Sequence, residues 1–362
     1  MMYYLSQFSD VFSGLNIFRY ITFRTGMAAV TTFLLCVIFG QYFIDMLNRL
    51  KFREIAKRED CKDLDKFQQA KEGTPTMGGL FIVGSILVSV FLWADLSNHF
   101  ILLTMFVCLF LAILGFLDDY VKLARIGGSR GLNKKSKLIW QIIISGVVGL
   151  YLYWCPTTTT DLHFPFFKNL IVDLGIFYIP FIIIVIIGAS NAVNLTDGLD
   201  GLAIGCVLIA SITLAVLSYV TGHLKFSEYL FFPFVSGAGE LTVFCAAIIG
   251  ASLGFLWFNC HPASVFMGDV GSLSLGGTLG VIAVLIKKEL FLAIMGGVFV
   301  IEALSVIIQV ISFRTTGKRV FKMSPFHHHL QLSGWKESKI IIRLWILAIR
   351  FALFTLTTLK IR

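Results

Sequence analysis

Five aspartates stand where long apolar runs begin or end, and a charge placed at the edge of apolar surroundings needs a partner or a purpose. Asp118 and Asp119 follow Ile113 to Leu117, and adjacent helical residues point about 100° apart, so the two carboxylates divide their work. One can face a reaction centre while the other pairs with Lys122 or a neighbouring helix; the plainer alternative is a helix end marking a lipid boundary. In Asn191 to Gly201 the polar residues recur at every third position. Asn191, Asn194, Asp197 and Asp200 therefore share one side of any helical or 3₁₀ turn, with Gly198 and Gly201 allowing close backbone approach. A polar hairpin between two apolar segments is the competing account. Asp269, in Phe266 to Ser272, opens another apolar run, where it either caps a helix or turns towards the other acids. Acids gathered on one face repel each other unless a cation joins them. Mg²⁺ suits such a place, because it takes few protein oxygens and completes its shell with water and substrate phosphates. His327, His328 and His329 are consecutive, a poor geometry for one metal, but imidazoles beside Arg319 and Lys322 suit a phosphate or sugar as well as they suit a solvated loop. Lys71 precedes the run Gly73 to Gly79 and is one of many loop lysines.

The elements that position these residues are set by composition. With 57% hydrophobic and 14% charged residues, and a mean hydropathy of +0.85, the 362-residue chain lies outside the range of soluble domains. It reads as an all-α integral membrane protein, one polytopic domain over residues 1–362 with residues 1–21 as a short interfacial segment lacking the pattern of a signal peptide. About ten transmembrane helices are expected, near Thr22 to Leu47, Thr76 to Trp93, Phe100 to Leu117, Leu138 to Trp154, Ile171 to Gly188, Leu199 to Val220, Leu241 to Phe258, Asp269 to Ile286, Phe291 to Phe313 and Ile340 to Leu359. The eighth is rich in glycine, as close helix packing requires. The seven cysteines show no metal-finger spacing and sit mostly in apolar runs.

A net charge of +9 is no sign of nucleic acid, because the basic residues concentrate in a few loops between spans. The first loop holds Arg49, Lys51, Arg53, Lys57, Arg58, Lys62, Lys66 and Lys71; the third holds Lys122, Arg125, Arg130, Lys134, Lys135 and Lys137; the ninth holds Arg314, Lys318, Arg319, Lys322 and Lys336. Against these nineteen the other side offers Lys168, Lys225, Lys287 and Lys288. Lys and Arg accumulate in cytoplasmic loops, so the odd loops are expected inside and both termini outside. Every polar cluster then reaches the cytoplasmic face, where one composite site is the economical reading.

Taken together, Gly73-Thr-Pro-Thr-Met-Gly-Gly79, Asp118-Asp119-Tyr120, Asn191 to Gly201, Phe255-Leu-Trp-Phe-Asn259, Phe266 to Ser272, Gly296-Gly-Val-Phe-Val300 and Pro325-Phe-His-His-His329 resemble the phospho-N-acetylmuramoyl-pentapeptide transferase (MraY) family. That family lies within the polyprenyl-phosphate N-acetylhexosamine-1-phosphate transferases, and the likeness spans nearly the whole chain. The resemblance implies Mg²⁺-dependent transfer of phospho-MurNAc-pentapeptide from its UDP carrier to undecaprenyl phosphate, giving lipid I and UMP in the bacterial cytoplasmic membrane. It also implies roles. Asp269 would bind the metal, and Asp118 would act as base on the lipid phosphate with Asp119 close by. Asn194, Asp197, Asp200 and Asn259 would line the nucleotide pocket, Phe266 would stack on uracil, Lys71 would reach the nucleotide, and Lys122 and Lys137 would contact phosphates; His327, His328 and His329 would contact substrate. A homodimer is implied by the family alone. Lys134, Lys135 and Lys137 follow Ile126-Gly-Gly-Ser-Arg130, a segment that departs from the family pattern.

Two other functions compete with this reading. A sibling transferase acting on UDP-GlcNAc shares the fold and the acids, although the His cluster and Thr-Pro-Thr-Met-Gly-Gly favour the MurNAc-pentapeptide branch. A transporter would place ionisable groups at mid-membrane in paired repeats; here Glu302, inside the ninth span, is the one acid so placed. Direct attack and a two-step route through an aspartyl intermediate are both compatible with the residues.

Overall fold

The computed structural model describes residues 1–10, 12–50, 52, 73–124, 131–156, 158–167 and 170–360. Lys71, expected at the nucleotide, lies outside the described residues. The fold is all-α and multi-pass: among the described residues nine helices are long and apolar enough to cross a membrane, and a tenth, Gly79–Trp93, is shorter. In chain order the principal helices are α1 (Ile21–Arg49), α2 (Gly79–Trp93), α3 (His99–Ala124), α4 (Lys134–Trp154), α5 (Tyr178–Thr196), α6 (Leu202–Thr221) and α7 (Leu241–Asn259). They continue with α8 (Gly268–Leu285), α9 (Glu289–Met295), α10 (Gly297–Thr316), α11 (Phe326–Leu332) and α12 (Glu337–Thr357).

Helix α8 is the centre of the bundle. Sixteen of its eighteen residues are buried, so it has no lipid-facing side, and it packs against α2, α3 and α5. Its glycines permit this. A Cβ on Gly276 would lie 2.6 Å from the Ala189 carbonyl oxygen of α5, and one on Gly79 of α2 would run into the Gly271 backbone. Without a hydrophobic force between helices in lipid, such close backbone contact is what holds them together.

Three helices run further at the site end than hydropathy suggests, because the backbone ladder continues through polar residues. Helix α3 passes Leu117 and carries Asp118, Asp119 and Lys122. Helix α5 passes Gly188 and carries Asn191 and Asn194. Helix α4 starts at Lys134, where the Asn133 side chain accepts the Lys135 amide at 3.2 Å, and so puts Lys137 in its first turn.

Two expected spans are corrected. The fifth begins at Tyr178 rather than Ile171, since Ile171–Asp173 pairs antiparallel with Asp161–His163 as a two-stranded hairpin. Ile171 and Val172 suit a strand as well as a helix, and Asp173 closes the segment by accepting the Gly175 amide at 2.9 Å. The ninth, expected as one helix from Phe291 to Phe313, is broken at Gly296 into α9 and α10. Hydropathy does not register a break whose two halves are both apolar; the Gly296-Gly297 pair supplies it. Beside this break, at the end remote from the aspartates, Lys287 donates to the Tyr178 hydroxyl at 2.7 Å and to the Thr159 carbonyl, and burial lowers its ammonium to about 8.

Candidate active site

The site is built from the termini of α3, α4, α5 and α8. Three carboxylates, Asp118, Asp119 and Asp269, each offer one oxygen within a 4.8 Å cluster. Two ammonium groups hold them together. Lys122 lies 2.7 Å from Asp118, 2.9 Å from Asp269 and 3.4 Å from Asp119; Lys137 lies 2.7 Å from Asp269 and 3.4 Å from Asp118. The division of labour between the adjacent aspartates follows from their divergent directions. Asp118 accepts the Leu132 amide at 2.7 Å, while Asp119 accepts the Val270 amide at 3.3 Å and so serves as an N-terminal cap for α8. Asp269 has its other oxygen fixed by the Asn194 side-chain amide at 2.8 Å, and the same Asn194 nitrogen reaches the Ser272 hydroxyl.

With all three carboxylates ionised, the two ammoniums leave the described cluster one negative charge in excess. Hard oxygen donors in a half-open setting fit Mg²⁺, and an anionic phosphate would draw Lys122 and Lys137 off the acids as the cation replaced them. Lys122 has room to move: its side chain is 39% exposed, against 4% for Asp118.

The other expected segments meet this centre through backbone bonds. The Phe266 amide donates to the Pro75 carbonyl at 2.8 Å, and the Gly78 and Gly79 amides donate to Phe266 and Met267, so the Gly73 to Gly79 run lies along the Asp269 segment. Asn259 accepts the Gly201 amide at 3.0 Å and donates to the Val265 carbonyl at 2.7 Å, joining the Asp197–Gly201 turn to the same segment. Asp200, however, turns away from the three clustered aspartates. It accepts from the Ala263 amide and faces His261 Nδ1, both at 3.1 Å, with Glu337 of α12 accepting the Asp200 amide at 3.1 Å. Asp197 is the C-terminal cap of α5.

The histidines separate. His327 sits against Gly198, where an added Cβ would strike its Nε2 atom. His328 bonds Gln331 within its own helix at 2.8 Å, and His329 accepts the Lys322 amide at 3.1 Å while stacking on Phe326. Consecutive letters therefore give three directions. Lys134 and Lys135 are exposed on the outer side of α4, and Lys137 alone of that run reaches the acids. Asn191 donates its side-chain amide to Gln141 of α4 at 3.1 Å. Sequence reasoning missed Ser272, Gln141, His261 and Glu337. Ser272 is three residues from Asp269 on one helix, and Gln141 is four from Lys137, so helical spacing could have found both. Nothing in the sequence marks Glu337.

Residues 100–287, more than half the chain, match the model of glycosyl transferase family 4, and residues 71–83 match the first phospho-N-acetylmuramoyl-pentapeptide-transferase signature. The chain is 53% identical over 352 residues, 97% of each chain, to a phospho-N-acetylmuramoyl-pentapeptide-transferase of Solidesulfovibrio magneticus. It belongs to the phospho-N-acetylmuramoyl-pentapeptide transferase family. Proteins of the same name from Pelobacter propionicus and Thermodesulfovibrio yellowstonii are each 51% identical, over 96% and 99% of both chains. The family signature covers the Gly73 to Gly79 run, and the wider family match takes in Asp118, Asp119, Asn194 and Asp269, so the matched segments are those that the structure draws together.

Proposed function

We propose that the protein transfers phospho-MurNAc-pentapeptide from UDP-MurNAc-pentapeptide to undecaprenyl phosphate, forming lipid I and UMP at the cytoplasmic face of a bacterial inner membrane. The observation that carries this reading is the cluster of Asp118, Asp119 and Asp269 threaded by Lys122 and Lys137 at the end of a lipid-buried bundle, on segments shared with relatives of that name. A water-soluble nucleotide and a lipid phosphate can meet only at such an edge.

The reaction exchanges one phosphoanhydride for another. An oxygen of the lipid phosphate bonds to the phosphorus next to the sugar, the bond from that phosphorus to the bridging oxygen breaks, and UMP leaves with the electron pair. Little covalent work falls to the protein, which must position two anions and offset their charge. Asp118 takes any proton remaining on the attacking phosphate. Lys122 and Lys137 move from carboxylate to phosphate oxygens, and Asn194 keeps Asp269 in its orientation. Mg²⁺, held by Asp269 with Asp118 and Asp119 beside it, supplies charge neutralisation when bound. The Asp197–Gly201 turn, Asn259 and Phe266 form the nucleotide side. The homodimer implied by resemblance is checked by the mass of the detergent-solubilised particle.

The test is UMP release by purified protein given undecaprenyl phosphate, with UDP-MurNAc-pentapeptide or UDP-GlcNAc as donor, with and without Mg²⁺, and Asp269→Asn alongside. Release from the MurNAc donor alone, dependent on Mg²⁺ and lost in the variant, supports the proposal. Turnover of UDP-GlcNAc would move the chain to the sibling activity, and no turnover by folded protein would sink both.

A further inference from the structure

Glu302 is fully buried near the start of α10, and a carboxylate so placed in a membrane bundle needs donors of its own. It finds them on one residue. The same oxygen, Oε2, accepts the His327 backbone amide at 3.3 Å and faces His327 Nδ1 at 3.1 Å. Pro325, which precedes α11, has no side chain able to cap it, so Glu302 supplies that bond from another helix. An ionised carboxylate can only accept, so the Glu302 contact favours the tautomer with its proton on Nδ1. Nε2 is left as an acceptor. It is buried without a partner and points at Gly198, in the space that a side chain there would fill.

We infer that Glu302 is a positioning residue for the sugar-nucleotide: it locks the ring of His327 so that its Nε2 edge buttresses the Asp197–Gly198 turn on the nucleotide side of the site. The inference rests on the proposed function. Its physical basis is packing: the imidazole fills the space beside Gly198, so the direction in which Glu302 holds the ring sets where the turn can lie. The turn it supports leads from Asn194, which orients Asp269, to Asp200 and Gly201, so an error in the ring's direction is felt by the nucleotide side before the acids.

The experiment is steady-state UMP release for wild type, Glu302→Ala, Glu302→Gln, His327→Ala and the Glu302→Ala/His327→Ala pair. Glu302→Ala is expected to raise KM for the UDP-sugar about tenfold or more, the usual scale for loss of an orienting partner, with kcat changed less. Glu302→Gln keeps an acceptor oxygen and recovers most of the loss. The double variant is no worse than His327→Ala, because Glu302 acts through that ring. Gly198→Ala, which displaces the ring, reproduces the KM effect and adds nothing in the His327→Ala background. Multiplying effects in the double variant, or an equal fall in kcat with KM unmoved, would overturn the inference. A wild type inactive with every donor would condemn the proposed function instead; nitrogen spectra of histidine-labelled protein then decide the positioning separately. His327 protonated at Nδ1 in wild type and in Glu302→Gln, but altered in Glu302→Ala, sustains it, and a wild-type proton on Nε2 refutes it.

Discussion

Lys137 and Lys122 do not duplicate each other, although both touch Asp118 and Asp269. Lys122 rises from the helix that bears Asp118 and Asp119, whereas Lys137 comes from α4 and makes the shorter contact with Asp269, 2.7 Å against 2.9 Å. Removing Lys137 leaves Asp118 paired with Lys122 and with the Leu132 amide, so the fold has no reason to fail. Lys137→Met is therefore expected to lower kcat by roughly 10²-fold, the scale for losing one charge-stabilising donor, with little change in the apparent thermal midpoint. Lys137→Arg recovers part of the activity, since its planar fork keeps the charge but not the point geometry of an ammonium. Unchanged turnover in Lys137→Met would reduce the residue to a counter-ion. At this scale the acids were legible, because charges at the end of an apolar run are anomalous whatever surrounds them. The histidines were legible as types only. Their directions depend on how α11 lies against α10, and nothing in three identical letters separates His327 from His328 and His329.

Elements set the distances that residues use. Asn194 on α5 reaches Asp269 on α8 only because the two backbones approach closely, with Gly276 facing Ala189 and Ser190, and the Ser190 hydroxyl bonding the Leu273 carbonyl at 2.9 Å. A Cβ on Gly276 would come within 2.8 Å of the Ser190 Cα and 2.9 Å of the Val193 Cβ, so neither neighbour is the far end of a flexible chain. Gly276→Leu is expected to cost about 1–3 kcal/mol as overpacking, lowering the thermal midpoint and drawing Asn194 off Asp269, with turnover falling further than stability does. Gly188→Leu is the control, because a Cβ there meets nothing within 4 Å. Equal loss in the two variants would show that the α5–α8 seam does not set the site. The sequence signalled this seam through the glycine content of the eighth span. The break between α9 and α10 stayed hidden because hydrophobicity measures where lipid is tolerated, not whether the helix is continuous.

Orientation belongs to the whole molecule and is the property most directly read from charge. Nineteen basic residues crowd the loops at the ends of the chain's odd spans against four on the other side, which predicts that the acids face the cytoplasm. The cysteines allow a direct check with little new chemistry. Cys260 is exposed and adjoins His261, on the side of the Asp200 group, whereas Cys155 follows α4 at the end opposite Lys137. The 21 residues of α4 span about 30 Å, the thickness of a hydrocarbon core, so the two thiols report opposite faces. In single-cysteine proteins, a membrane-impermeant maleimide should label Cys260 in inside-out vesicles but not in intact spheroplasts. Half-buried Cys155 should show the reverse, more slowly. Labelling of Cys260 from outside would invert the bundle and place the aspartates where no cytoplasmic nucleotide could reach them. The proposed transfer would then fail on topology alone, however well Asp118, Asp119 and Asp269 are arranged.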